Sequence, residues 1–246
     1  AIKLNPYLYN YRLGLAKLYL NQARAEALKP IGPENNLKIQ ANITRAIATA
    51  KQALVMAPNS VLAKETLGVI YRDIGPLTLG SEAWAVKYFA DALTLEPTNP
   101  VLATELAKAY LNNNDPVEAE KYFRRALGLK SDYYEAKFGL AKAYLKGKRD
   151  NQALTLLNEL AREVYDTEVF YELGRFYYNH GEIEKALERF KLVLSISSKH
   201  ANSLYSLAVA YEAKGNPGEA LKYYRQVLEL NQGNTEVIKK IKELNK

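Results

Sequence analysis

Three cations recur at near-even spacing along the chain: Lys108, Lys142 and Arg175, which stand 34 and 33 residues apart. Phe138 lies four residues before Lys142, Tyr171 four before Arg175, and Tyr205 holds the next equivalent place. On a helix, residues four apart share a face. Ammonium and guanidinium groups there could hold carboxylates through charge-assisted hydrogen bonds, while the rings add apolar contact with a polar tip. That is the chemistry of recognition.

Bond-making chemistry has little to work with. His180 and His200 are the only histidines, each at a predicted turn and without a partner, and there is no cysteine, so no metal site, disulfide or thiol chemistry is expected. Neither a nucleophile elbow, a P-loop nor a dinucleotide fingerprint occurs. Carboxylates are plentiful, but none is singled out as a general acid or base. No enzymatic role and no cofactor is expected.

Bulk properties are consistent with this. At 246 residues and 48% hydrophobic content the chain can bury a sizeable core. It has no run of about 18 apolar residues that would cross a membrane as a helix, so this segment is not expected to contact one. Net charge is +7, from 34 basic and 27 acidic residues, a weak bias toward acidic partners. Nineteen tyrosines against six phenylalanines and one tryptophan is the unusual count.

The elements that must position these groups repeat. "LAKAYLNNNDPVEAEKYFRRAL" (Leu106–Leu127) aligns with "LAKAYLKGKRDNQALTLLNEL" (Leu140–Leu160), "LGRFYYNHGEIEKALERFKLVL" (Leu173–Leu194) and "LAVAYEAKGNPGEALKYYRQVL" (Leu207–Leu228). Each unit holds two helix-length amphipathic segments joined by a polar turn. Asp115-Pro116 and Asn216-Pro217 read as an N-cap followed by Pro at the first helical position, and Gly147 and Gly181 mark the other turns. A small residue recurs in the first helix (Ala16, Gly68, Ala107, Ala141, Gly174, Ala208), followed three residues later by Tyr (Tyr19, Tyr71, Tyr110, Tyr144, Tyr177, Tyr211). In the second helix an alanine recurs (Ala46, Ala85, Ala119, Ala153, Ala186, Ala220), and four residues on stand Ala50, Phe89, Phe123, Leu157, Phe190 and Tyr224. Small residues let helix axes approach and aromatics fill the groove between them, so six tyrosines are expected to be packing.

This pattern resembles the tetratricopeptide repeat and covers the whole chain. The resemblance implies an all-α, right-handed superhelical solenoid of antiparallel helix pairs acting as a protein-interaction scaffold. Repeat 1 is placed at 9–60 with an 18-residue insertion, repeat 2 at 61–99 with a five-residue insertion, repeats 3 to 6 at 100–133, 134–166, 167–200 and 201–234, and a capping helix at 235–246. The insertions fall at the turn inside a repeat, and their loops centre on 29–36 and 73–84. The simplest reading extends both helices of repeat 1 by two or three turns. Ser81 is expected to cap the next helix, with Glu82 near its start, and Trp84 either packs beneath the second loop, the favoured reading, or stands as an exposed anchor. The loops are either surface elaborations or a second contact surface. In the cap, Val237, Ile238, Ile241 and Leu244 face inward and the lysines outward. The opening "AIKLNP" aligns with Ala92–Pro97 and Ala53–Pro58, which makes 1–8 the tail of a second helix within a longer array.

In such arrays the first helices line a concave face where extended peptides bind. Carried onto this sequence, the lining positions give Lys108, Asn112, Phe138, Lys142, Lys146, Tyr171, Arg175, Tyr178, Asn179 and Tyr205. The expected partner is a protein or peptide bearing acidic and apolar side chains. Chaperone-binding members use a two-carboxylate clamp of Lys, Asn, Asn, Lys and Arg. Thr104/Lys108, Phe138/Lys142 and Tyr171/Arg175 depart from it, which disfavours a chaperone tail. Three other readings stand beside this one: the repeat portion of a larger membrane-associated envelope or polysaccharide-assembly protein, self-assembly through exposed array ends, and, disfavoured by interleaved acids, single-stranded nucleic acid.

Overall fold

A computed structural model describes residues 8–29, 32–75, 78 and 80–245. Among them are thirteen α-helices and no strand. The chain divides after Arg149 into two compact units. The tail placed at 1–8 lies outside the described residues but for Leu8, as do Lys246 and parts of both insertion loops.

The first unit holds α1 (Leu8–Ala27), α2 (Pro33–Met56), α3 (Val61–Asp73), α4 (Ser81–Leu95), α5 (Pro100–Asn112), α6 (Pro116–Leu129) and α7 (Tyr134–Lys146). Consecutive helices pack on one another, α1 on α2 and so on through α6 on α7, and α3, α5 and α7 also meet as alternate helices. The core is the recurring small-and-aromatic pattern: Ala16, Ala107, Ala119, Phe89 and Phe123 are fully buried. α1 and α2 run 20 and 24 residues, where α5 and α6 run 13 and 14, about two and three extra turns. The Asp115 side chain accepts from the Glu118 amide at 3.1 Å, so α6 starts at its Asp-Pro signal.

The second unit holds α8 (Asp150–Glu163), α9 (Thr167–Asn179), α10 (Ile183–Ile196), α11 (Ala201–Ala213), α12 (Pro217–Leu230) and α13 (Thr235–Leu244). Asn216 caps α12 on the Glu219 amide at 3.2 Å. α13 lies on α12 with Val237 fully buried. Its lysines do not all face out: Lys240 Nζ bonds Glu212 Oε1 at 2.9 Å, because Glu212 would otherwise lack a cation partner beside the buried Tyr224 hydroxyl.

The tyrosine surplus goes into packing. Tyr71, Tyr144, Tyr177 and Tyr211 are buried and Tyr19 and Tyr110 half-buried. Second-helix tyrosines stack on them: Tyr88 on Tyr71 at 5.7 Å, Tyr122 on Tyr110 at 5.5 Å, Tyr223 on Tyr211 at 5.7 Å. Two expectations near the second insertion are corrected. Gly80, at φ +79°, is the N-cap of α4, and the Ser81 hydroxyl donates back to the Thr78 carbonyl at 2.7 Å rather than capping the helix. Trp84 is not sealed beneath the loop: it is 44% exposed, with its ring stacked beside those of Tyr71 and Tyr88.

Candidate interaction grooves

In the first unit, α5 and α7 present their outer stripes to one cleft of about 590 Å³. Lys108, Asn112, Phe138, Lys142 and Lys146 all line it. The 3.6-residue period brings them together: Lys108 and Asn112 are one turn apart on α5, and Phe138, Lys142 and Lys146 are successive turns of α7.

The charges in this cleft are not equivalent. Glu105, missed in the sequence reading, binds Lys108 at 2.7 Å and Arg72 on its other oxygen. Lys108 is therefore a neutralised cation. Its partner sits three residues earlier on the same face, the i,i+3 spacing that could have revealed it. Lys142 has no carboxylate partner among the described residues, and its ammonium stands 5.5 Å from the Phe138 ring centre. Lys146 donates to the Leu111 carbonyl at 2.6 Å, which also accepts from the Asn114 amide at the end of α5, and it keeps its charge. Tyr134 stacks on Phe138 at 6.1 Å, so one wall is an aromatic plate beside two unneutralised ammonium groups.

In the second unit, Arg175, Tyr178, Asn179 and Tyr205 line a smaller cleft of about 190 Å³ with Phe190, Ser206 and Val209. Tyr171 is not brought into it: its ring packs on Phe190 and His200, with centroids at 5.8 and 5.4 Å. Arg175 is held by Glu172 at 3.1 Å, a carboxylate buried at the position Glu105 holds in α5. The Tyr205 hydroxyl donates to Glu236 at 2.6 Å, and that bond, with burial, pushes its pKa up to about 12. This cleft offers rings and amides but a charge already paired.

Other stripe positions diverge too. Leu13 and Thr104 are buried, the Thr104 hydroxyl turned back to the Pro100 carbonyl at 2.8 Å. Lys17, Asn21, Glu65 and Val69 line a third cleft, between α1 and α3. The extended α2 contributes Ile39, Ile43 and Ile47 to a cleft ending at Trp84. Among the described residues there is no cluster of three metal-ligating side chains, and no helix is long and apolar enough to cross a membrane.

Residues 113–173 and 166–232 each match the tetratricopeptide repeat family. The chain is similar to TPR repeat-containing protein MJ1428 of Methanocaldococcus jannaschii, 25% identical over 162 residues that make up 62% of this chain and 29% of that protein. It is also similar to the antiviral innate immune response effector IFIT1 of Macaca fascicularis, 26% identical over 209 residues, 77% of this chain and 42% of the relative. The chain thus spans less than half the length of either. Among solved structures, PilW, a widely conserved type IV pilus biogenesis factor, superposes with a TM-score of 0.72 at 22% identity, over 97% of this chain and 99% of PilW. At that identity the likeness is one of fold.

Proposed function

The chain belongs to the tetratricopeptide-repeat family, whose members generally serve as non-catalytic scaffolds binding proteins or peptides, and from that premise we propose that the α5/α7 cleft takes an extended peptide bearing acidic and apolar side chains. The observation that carries this reading is the pairing of Lys142 and Lys146, both without a carboxylate partner among the described residues, with the Tyr134–Phe138 plate. A peptide carboxylate would meet the two ammonium groups, and a neighbouring apolar side chain would cover the rings. Asn112 supplies an amide for an extended backbone. Taken by itself, the α9/α11 cleft of the second unit offers similar chemistry more weakly, because Glu172 already neutralises Arg175.

The test uses two pools of labelled 12-residue peptides, one mixing Asp and Glu with Leu and Phe, the other with Lys in place of the acids. The acidic pool is expected to bind, to weaken as salt rises, and to lose affinity about tenfold or more in the Lys142→Glu/Lys146→Glu variant. Equal retention of both pools, or indifference to the double substitution, overturns the reading. A mixed single-stranded oligonucleotide that binds more tightly than the acidic pool would move the site to nucleic acid.

A further inference from the structure

The α5/α7 cleft is lined by charges of both signs, and those on α3 and α5 are already paired. Glu105 takes Lys108 on one oxygen and Arg72 on the other, and Arg72 also meets Asp73 at 3.1 Å. The open charges are those of α7: Glu135, Lys142 and Lys146. Glu135 is exposed and has no cation partner among the described residues. Its counterpart in α9, Glu168, stands at the same distance before the small residue of its repeat and faces His200 Nε2 at 3.4 Å. Nothing answers Glu135 in that way.

Spacing along α7 puts these charges in order. Glu135, Phe138, Lys142 and Lys146 follow one another at steps of three and four residues, so they share one helix face. The carboxylate stands in the first turn and the two ammonium groups toward the last. Phe138 lies between, with the Tyr134 ring stacked on it at 6.1 Å. The order also suits the α7 macrodipole, a contribution to stability that is independent of any ligand. What the macrodipole does not account for is the apolar plate set between the two signs, on the wall of a cleft.

At about 1.5 Å per residue, Glu135 lies about 10 Å along the helix axis from Lys142 and about 16 Å from Lys146. An extended peptide rises about 3.3 Å per residue, so a separation of about three to five residues bridges the two signs. Its side chains alternate between faces, and of these separations only four turns both charged groups toward α7. The side chain two residues along then points the same way, onto the Phe138 plate. We propose that the cleft selects a charge-ordered peptide motif: a Lys or Arg, an apolar side chain two residues away, and an Asp or Glu two residues beyond it, in either chain direction. The basic group meets Glu135, the apolar one Phe138, and the acid Lys142 and Lys146. Glu135 is thus the specificity-determining residue, because it repels a second acid where it attracts a base. This rests on the reading of the cleft as a peptide site.

Fluorescence anisotropy with labelled 12-residue peptides tests this, serine filling every other position. One pair carries Lys-Ser-Leu-Ser-Glu and its reverse, an acid-only peptide carries Glu-Ser-Leu-Ser-Glu, and a mis-spaced peptide carries Lys-Ser-Leu-Glu. The better of the two motif peptides is expected to bind about threefold or more tightly than the acid-only and mis-spaced ones. In Glu135→Lys the ranking should invert, the acid-only peptide binding best, with the circular dichroism of the chain unchanged because Glu135 is exposed. A motif that in neither order outbinds the other two peptides, or a ranking that survives Glu135→Lys, overturns the proposal. If the acid-only peptide still binds in that case, the broader reading of the cleft stands without it. If no peptide binds either protein, both fall.

Discussion

The ring of Phe123, on α6, fills the space that a β-carbon on Gly139, on α7, would occupy. This contact joins α6 to the first helix of the next repeat, and Gly139 also lines the α5/α7 cleft. The glycine sets how near α7 lies to α6, and so where Phe138 and Lys142 stand.

Gly139→Ala is therefore expected to destabilise the fold, although alanine is the better helix former. Phe123 is fully buried and has no room to move. Overpacking of about 1–3 kcal/mol outweighs a propensity gain of about 1 kcal/mol. Gly14→Ala should have the opposite sign on the stability of a single chain, raising it by up to about 1 kcal/mol, since no described residue stands in the way. Urea unfolding of the two variants at low protein concentration checks both signs.

Glu105→Gln is expected to strengthen binding of the acidic peptide pool. Glu105 neutralises Lys108 inside the cleft, so replacing its charge exposes one further cation to a peptide carboxylate, while Arg72 keeps its pair with Asp73 at 3.1 Å. An increase in affinity of about three- to tenfold, steeper in its salt dependence than the unaltered chain, is the outcome that fits. Fluorescence anisotropy at two salt concentrations measures it.

His180 should report pH. Its Nδ1 faces the Phe176 carbonyl at 2.8 Å and its Nε2 faces Asp150 Oδ2 at 3.1 Å, so the protonated ring donates to both. The backbone bond first, and Asp150 second, raise its pKa. A group whose pKa is raised on folding contributes stability that is complete below its unfolded value of about 6.5 and is lost as pH rises through the folded value. Melting curves of the unaltered chain should thus decline over that window, and His180→Gln should flatten this part of the profile. An NMR titration of the ring places the midpoint directly.

The α13 cap should loosen in acid. The Lys240 ammonium, then the Tyr224 hydroxyl, hold the Glu212 carboxyl below the usual glutamate range. That stability is present above the unfolded pKa of about 4.3 and is lost as pH falls through the lower folded value. At neutral pH, Lys240→Met should cost only about 0.2–1 kcal/mol, because the pair is partly exposed. Faster hydrogen exchange confined to Thr235–Leu244 and its contacts on α12 is the signature to look for.

Much of this was legible in the chain. The 34-residue recurrence of small residue and tyrosine places the helix pairs, since each position faces a fixed direction once a helix forms. The cleft lining at Lys108, Asn112, Phe138, Lys142 and Lys146 follows from the same period. Tyr171 escaped it because its neighbours, Phe190 and His200, come from another helix and the turn after it. Ser81 looked like a cap, but Gly80 in a left-handed conformation already turns the backbone into α4.

Local periodicity alone thus determined the all-α repeat, the packing role of the six recurring first-helix tyrosines and the stripe of each first helix that looks outward, because these depend on which residues share a face. What the tertiary structure decided is which charges on that stripe remain available. Glu105 and Glu172 neutralise Lys108 and Arg175, and Lys142 and Lys146 have no carboxylate partner among the described residues. The physical reason is that the i,i+3 spacing of Glu105 to Lys108 and of Glu172 to Arg175 permits those pairs without requiring them, while side-chain rotamers and neighbours across helices decide which are made.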